Sequence, residues 1–295
     1  EMDDQHELQR KINNTATAQI PACAWDCTVP IVIAHDSAVR HFGTGTLFRV
    51  ADHFFLVTAG HVIKQACAHH KTVGIGGSDD GKFIALTGDT LVSSEVQYGT
   101  SADPFDIALH RLALEAVGRL SNKRFLLFNH VEFDDQSPTA VYTLFGYPAV
   151  WSSPSSSPDE KVTYKALQYT TYRYDRDTST LEEYQDRLHL LLDGQFQQAT
   201  NQDATPAEFH SSCDGQPIPF PRGLGGISGC SVWRIGDLKT PLYDWDIEQS
   251  RLVAVQTGVY HAKRAIKATR WVAVSTIIHE AFPELRPAIQ MWRVR

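Results

Sequence analysis

The stretch GGISGCSVW, Gly225–Trp233, sets two glycines just ahead of Ser228 and runs directly into an apolar segment. Glycines at such a point let the backbone approach a neighbour closely and turn its N–H groups into a cleft. A serine hydroxyl is a weak nucleophile until an adjacent base removes its proton. The carbonyl oxygen it attacks becomes negative and needs donors already in place. Gly-Ile-Ser-Gly supplies both, with Ser228 as nucleophile and the N–H groups of Gly226 and Ser228 as donors. A glycine-rich tight turn between two strands reads equally well from the same letters.

Outward from this stretch, the chain is a succession of short apolar runs broken by turn residues. TLFRVA, HFFLVTAG, FIALTG, DIALHRL and AVYTLFGYP come before it, along with KVTYKALQYTTYRY and RLHLLLD; RLVAVQTGVYHA and TRWVAVS follow it. Many short strands without long helices between them indicate an antiparallel barrel or sandwich rather than a parallel sheet. Helical patterns lie near the ends: DDQHELQRKI at the start, and STIIHEAF from Ser275, where the serine is a candidate cap and Pro283 a stop. In LEEYQDRLHL the first half reads as helix and the second as strand. Two polar loops stand out, WSSPSSSPDEK over 151–161 and the long segment 195–223.

Two further motifs carry chemistry. In VTAGHVI a strand ends at Thr58, a glycine turns the chain, and His61 opens a short helix. Histidine is the side chain best suited to moving protons near neutral pH, although it is one of 13 here. In DPFDIALHRL, Asp106 stands immediately before an apolar run that reads as a buried strand. A carboxylate at a core edge is costly unless paired. It is either bonded to backbone amides or orienting a histidine.

In the order His61, Asp106, Ser228, with TAGH, DIAL and GxSG contexts, the chain resembles the chymotrypsin/trypsin-like serine proteases, particularly their bacterial branch. The likeness extends over about residues 42–283 and includes GTGTLFRV, LFGYP and LVAVQTGV. It implies an all-β fold of two six-stranded antiparallel β-barrels with a C-terminal helix, a partly helical N-terminal extension, and an active site between the barrels. The implied organisation is an extension over 1–41, a peptidase domain over 42–283 with its barrel boundary near 125–140, and a tail over 284–295. The α/β-hydrolase elbow is excluded, because Cys230 occupies the place of its last glycine and its triad order is the reverse.

By this resemblance His61 is the general base, Asp106 holds its tautomer, and Ser228 attacks. Gln256, Thr257 and Gly258 line the strand that pairs with substrate backbone. Gln256 stands where many relatives carry a serine beside the aspartate, and its amide is a candidate partner for Asp106. Arg222 is placed by the likeness in the wall of the specificity pocket, with acidic side chains as the substrates it would select. Ile227 stands where many animal relatives carry the aspartate that receives a new N-terminus, so activation by that route is not expected.

Other classes lose support. The net charge of -7, with no long basic run, leaves no footprint for nucleic acid. No apolar run approaches the length of a membrane span, and the N-terminus lacks the pattern of a secretory signal, though one removed earlier stays possible. Five cysteines are few and odd in number, which favours reduced thiols and a cytoplasmic location. The CAHH run at 67–70, with Cys23 and Cys27, matches no usual zinc spacing, and the reading requires no metal or cofactor. The expected partners are a protein or peptide substrate and an activating protein. A protease-like binding module without turnover is the competing reading.

Overall fold

The computed structural model describes residues 2–35, 38–68, 72–78, 82–93, 103–152, 164–194, 200–201 and 224–293. The loop expected over 195–223, apart from 200–201, lies outside the described residues, as does 153–161. Strands are numbered along the chain: β1 (Thr28–His35), β2 (Ala38–Val50), β3 (His53–Ala59), β4 (Thr72–Ile75), β5 (Ile84–Ala85), β6 (Thr90–Val92), β7 (Ile107–Arg111), β8 (Ala140–Gly146), β9 (Leu167–Tyr172), β10 (His189–Asp193), β11 (Thr200–Asn201), β12 (Ser231–Asp237), β13 (Arg251–Tyr260) and β14 (Ala265–Arg270). The helices are α1 (Met2–Ala18), α2 (Ala22–Asp26), α3 (Gly60–Ala68), α4 (Leu114–Gly118), α5 (Trp271–Ala281) and α6 (Arg286–Arg293).

The strands form two curled antiparallel sheets, β5-β4-β1-β2-β3-β7-β6 and β10-β14-β13-β12-β8-β9-β11, the chymotrypsin-like double barrel. Each counts seven strands where six were expected. The surplus in each is a two-residue edge strand, β5 or β11, too short to leave a pattern in the sequence. The first sheet begins at Thr28, inside the segment expected as an N-terminal extension.

Strand periodicity explains why so many runs are continuously apolar. Successive side chains point to opposite faces, and here both faces are buried. Along β8, Ala140, Tyr142 and Leu144 fill the interior of the second barrel. Val141 and Phe145 point the other way, into a cluster shared with Phe48, Phe55 and Ile107 of the first sheet. On β3, Leu56 faces the interior of barrel one while Phe55 and Val57 join the shared cluster. That cluster cements the barrels together, with Trp233 and Trp271 fully buried in it. Truncating either to alanine is expected to cost roughly 3–5 kcal/mol.

The ends are tied into the same core. Ile12 and Ala16 of α1 and Ile289 of α6 are buried in it, and Thr17 and Gln9 hydrogen-bond to Gln168 and Tyr172 of β9. Two local expectations fail. The C-terminal helix starts at Trp271, and Ser275 is not its cap: it is buried mid-helix with its hydroxyl donating to the Val272 carbonyl. The first half of LEEYQDRLHL is a run of turns, not a helix. There Leu181 packs against Tyr174 and Leu191, and tertiary contact overrides helix propensity.

Candidate active site

His61 is delivered where β3 meets α3. The connection is fixed by the Gly60 N–H, which donates to the Asp106 carbonyl at 2.7 Å. Asp106 itself has φ +49, in the left-handed region that non-glycine residues rarely adopt. That conformation turns its carboxylate onto His61. Oδ1 accepts the His61 backbone N–H at 2.7 Å, and Oδ2 accepts from Nδ1 at 2.7 Å. A carboxylate can only accept, so the proton is on Nδ1 and Nε2 is left as a proton acceptor.

The Asp106 loop is held from two sides. From barrel one, Asp103 accepts the N–H groups of Phe105 and Asp106 and the Ser93 hydroxyl, and pairs with Lys64 at 3.3 Å. From barrel two, the Thr269 hydroxyl donates to the Phe105 carbonyl at 2.6 Å, and His189 Nε2 donates to the Pro104 carbonyl at 2.7 Å. His189 Nδ1 accepts the Gln185 N–H, so both ring nitrogens are committed to the neutral tautomer. Burial lowers the His189 pKa to about 4; the nearby Lys267 and Arg270 charges add to the shift and Asp106 opposes it.

Ser228 lies in a turn pinned by both barrels. Gly226 has φ +95, and a Cβ there would come within 2.7 Å of the Ala149 nitrogen and of His41. Gly229 has φ +91, and a Cβ there would collide with the Thr44 carbonyl and the Thr58 hydroxyl. Thr44 of β2 holds the turn: its N–H donates to the Ser228 carbonyl at 2.9 Å, and its hydroxyl donates to the Gly226 carbonyl at 2.9 Å. On the other side the Gly229 N–H donates to the Gln256 carbonyl at 2.8 Å. Gly43 lies against both Val62, the neighbour of His61, and the Ser228 carbonyl. Among the described residues, no hydrogen bond takes the N–H of Gly226 or of Ser228, and none joins Ser228 to His61. His41 is packed beneath the turn, its Nε2 bonded to the Gly43 carbonyl and its Nδ1 without a partner. Burial lowers its pKa to about 4.

The remaining sequence-predicted residues are placed as follows. The Gln256 side chain is buried and donates to the Gly258 carbonyl at 3.0 Å, so it does not bond to Asp106 as expected; the bulge at Thr257 brings that carbonyl within reach of the amide. Thr257 points toward Thr269, hydroxyl to hydroxyl at 3.3 Å. Gly258 pairs with Lys267. Beyond Val255, β13 has only β14 as a strand neighbour among the described residues. Arg222 lies outside the described residues. Ile227 and Cys230 are buried in the core of barrel two, and burial pushes the Cys230 thiol well up, which leaves it inert.

Thr44, His41, Asp103, His189 and Thr269 went unmarked in the sequence. Only Asp103 carried a local signal, as the acceptor of an Asx-type turn in Asp-Pro-Phe-Asp. An open groove of about 1050 Å³, lined by Glu132, Asp134, Arg234, Arg251, Arg270 and Trp292 among others, includes none of the three motif residues.

No family model matches the chain, and no curated protein matches it in sequence. Solved structures do align with it. The serine protease domain of the Sesbania mosaic virus polyprotein is 14% identical, with 83% of this chain and 89% of that one covered and a TM-score of 0.41. An inactivated protease paralogue of the scabies mite is 15% identical, with 89% and 96% covered and a TM-score of 0.47. Kallikrein-related peptidase 10, in its complex with Zn2+, is 12% identical, with 89% and 97% covered and a TM-score of 0.47.

Proposed function

We propose that the protein is a serine endopeptidase that hydrolyses peptide bonds of a protein substrate through an acyl-enzyme. The observation that carries this reading is the His61–Asp106 pair at 2.7 Å, set beside a serine turn whose two candidate oxyanion donors are unused among the described residues. His61 Nε2 takes the Ser228 proton as Oγ attacks the scissile carbonyl. The N–H groups of Gly226 and Ser228 receive the developing oxyanion. The proton then passes from His61 to the leaving amine, and water repeats the sequence to release the acyl group. Asp106 keeps the proton on Nδ1 and stabilises the charged ring. The edge of β13 from Thr257 onward, unpaired among the described residues, offers N–H and C=O groups on which a substrate strand can pair.

Intact-mass analysis after exposure to a fluorophosphonate tests this. The expected result is one adduct, on Ser228, that disappears in Ser228→Ala and His61→Ala. Absence of an adduct on the folded wild-type chain would favour a protease-like binding module without turnover. The lack of a hydrogen bond between Ser228 and His61 is the observation on that side.

A further inference from the structure

Lys267 stands apart from every other lysine described. It lies in the middle of β14, is 9% exposed, and makes no ion pair or hydrogen bond among the described residues. Its neighbours in sequence, Ile266 and Ala268, face the interior of barrel two. By strand alternation Lys267 shares the opposite face with Thr269. Thr269 and its cross-strand partner His189 reach to the Asp106 loop, so the Thr269 end of this face meets the cleft between the barrels, while its Ala265 end packs with Leu191, Tyr174 and Leu181. Lys267 is paired with Gly258, and its Cε lies 3.4 Å from where a Gly258 side chain would begin. The missing side chain leaves room there. The Tyr260 ring stands 6.0 Å from the Lys267 ammonium, and Leu191 lies opposite Lys267 on β10.

The distance to the chemistry follows from β13. The Ser228 turn is attached to that strand at Gln256, and Gly258 is two residues further, roughly 7 Å along a strand. A nearly buried ammonium with no counter-ion is costly, and among the described residues only the Tyr260 ring stands against it. An anionic group entering beside Gly258 would offset that cost.

We infer that Lys267 is the specificity-determining residue of the cleft, selecting a glutamate or aspartate immediately before the scissile bond. This rests on the proposed peptidase reading and names its substrate class. The substrate carboxylate pairs with the Lys267 ammonium against the Tyr260 ring, while its backbone adds to the β13 edge left unpaired among the described residues.

Binding and labelling separate the two claims. Peptides ending in C-terminal Glu or Gln, and otherwise identical, mimic the acyl side of a cleaved product. Their binding to the Ser228→Ala protein, read by fluorescence anisotropy, requires no turnover. The Glu-ended peptide is expected to bind at least 10-fold tighter than the Gln-ended one. Lys267→Met should bring the ratio to near one, and Lys267→Arg should keep it above one. In the wild type, phosphonate esters carrying a glutamate-like side chain should label Ser228 faster than neutral ones. Equal binding of the two peptides, or a Glu preference surviving in a folded Lys267→Met, overturns the inference. Failure of all phosphonates to label, with Lys267-dependent binding of Glu intact, removes the peptidase reading and leaves the pocket assignment standing.

Discussion

The two halves of the candidate site are built differently. The acid–base half, His61 with Asp106, is joined directly at 2.7 Å and drawn from adjacent strands, β3 and β7, of one sheet. The nucleophile half is a turn with no bond to His61, suspended between Thr44 of the first barrel and Gln256 of the second. The pair itself lies within one sheet, and barrel two touches only its flank, through Thr269 and His189 on the Phe105 and Pro104 carbonyls. A turn held across an interface keeps its geometry only while the barrels keep theirs. In the proposed mechanism the serine turn therefore depends on the placement of the barrels more than the base does.

The largest effect should come from breaking the preformed half. Asp106→Asn keeps the shape of the side chain but no longer favours the proton on Nδ1 of His61. Labelling of Ser228 and peptide hydrolysis are expected to fall by about 10⁴-fold. The strongly downfield Nδ1–H proton resonance expected for the wild type should vanish. Next comes the other half. Gly226→Ala places a Cβ within 2.7 Å of the Ala149 nitrogen and of His41, at a φ of +95. The turn must shift and take an oxyanion donor with it, so turnover should drop about 10²–10³-fold. The His61 Nδ1–H signal should survive, which is how the halves are told apart.

Each half rests on a buried neutral histidine. His41 lies under the serine turn and His189 against the Asp106 loop, both with pKa lowered from 6.5 to about 4 by burial. As pH falls below about 6.5 the unfolded chain takes up these protons before the folded one does. Stability is thus unaffected above that value and declines between pH 6.5 and 4, by up to roughly 3 kcal/mol per histidine. Thermal melts across this range should show the decline. His189→Gln, which removes one titrating group, should make it shallower. A melting temperature that is flat from pH 7 to 4 would contradict both assignments.

How much of this was legible in the letters depends on how local each constraint is. His61, Asp106 and Ser228 each sit at the end of a strand beside a glycine or an aspartate turn, so a few neighbouring residues announce them. The chain could be divided into strands because both faces of β3 and β8 are buried, which makes their runs unmistakably apolar. The supports were not legible, because they act across long separations: Thr269 reaches Phe105, and Thr44 reaches Gly226. Only strand register puts such pairs together, and register is invisible in one sequence. The place of Lys267 is hidden for the same reason, since it follows only from the pairing with Gly258. Ser275 misled in the opposite direction. Its cap-forming chemistry is real, but the helix is set by Trp271, Val274, Ile277 and Ile278 packing into the shared core.

The smallest effect, and the most informative about control of the serine, is expected at Thr44. Its hydroxyl donates to the Gly226 carbonyl and accepts the Tyr147 N–H at 3.0 Å, while its backbone binds Ser228 and Thr58. Thr44→Val keeps the volume and the backbone bonds and removes only the hydroxyl. Two groups, the Gly226 carbonyl and the Tyr147 N–H, lose their partner, at a cost of about 1–3 kcal/mol each where water cannot reach them. A small displacement of the turn should slow Ser228 labelling by roughly 10-fold, less than the hundredfold that a full 1 Å misplacement can cost. Thr44→Ser should restore the rate, because the hydroxyl returns without the methyl. If Thr44→Val instead labels at the wild-type rate, the hydroxyl is dispensable and the backbone bonds of Thr44 and Gln256 suffice to hold the turn.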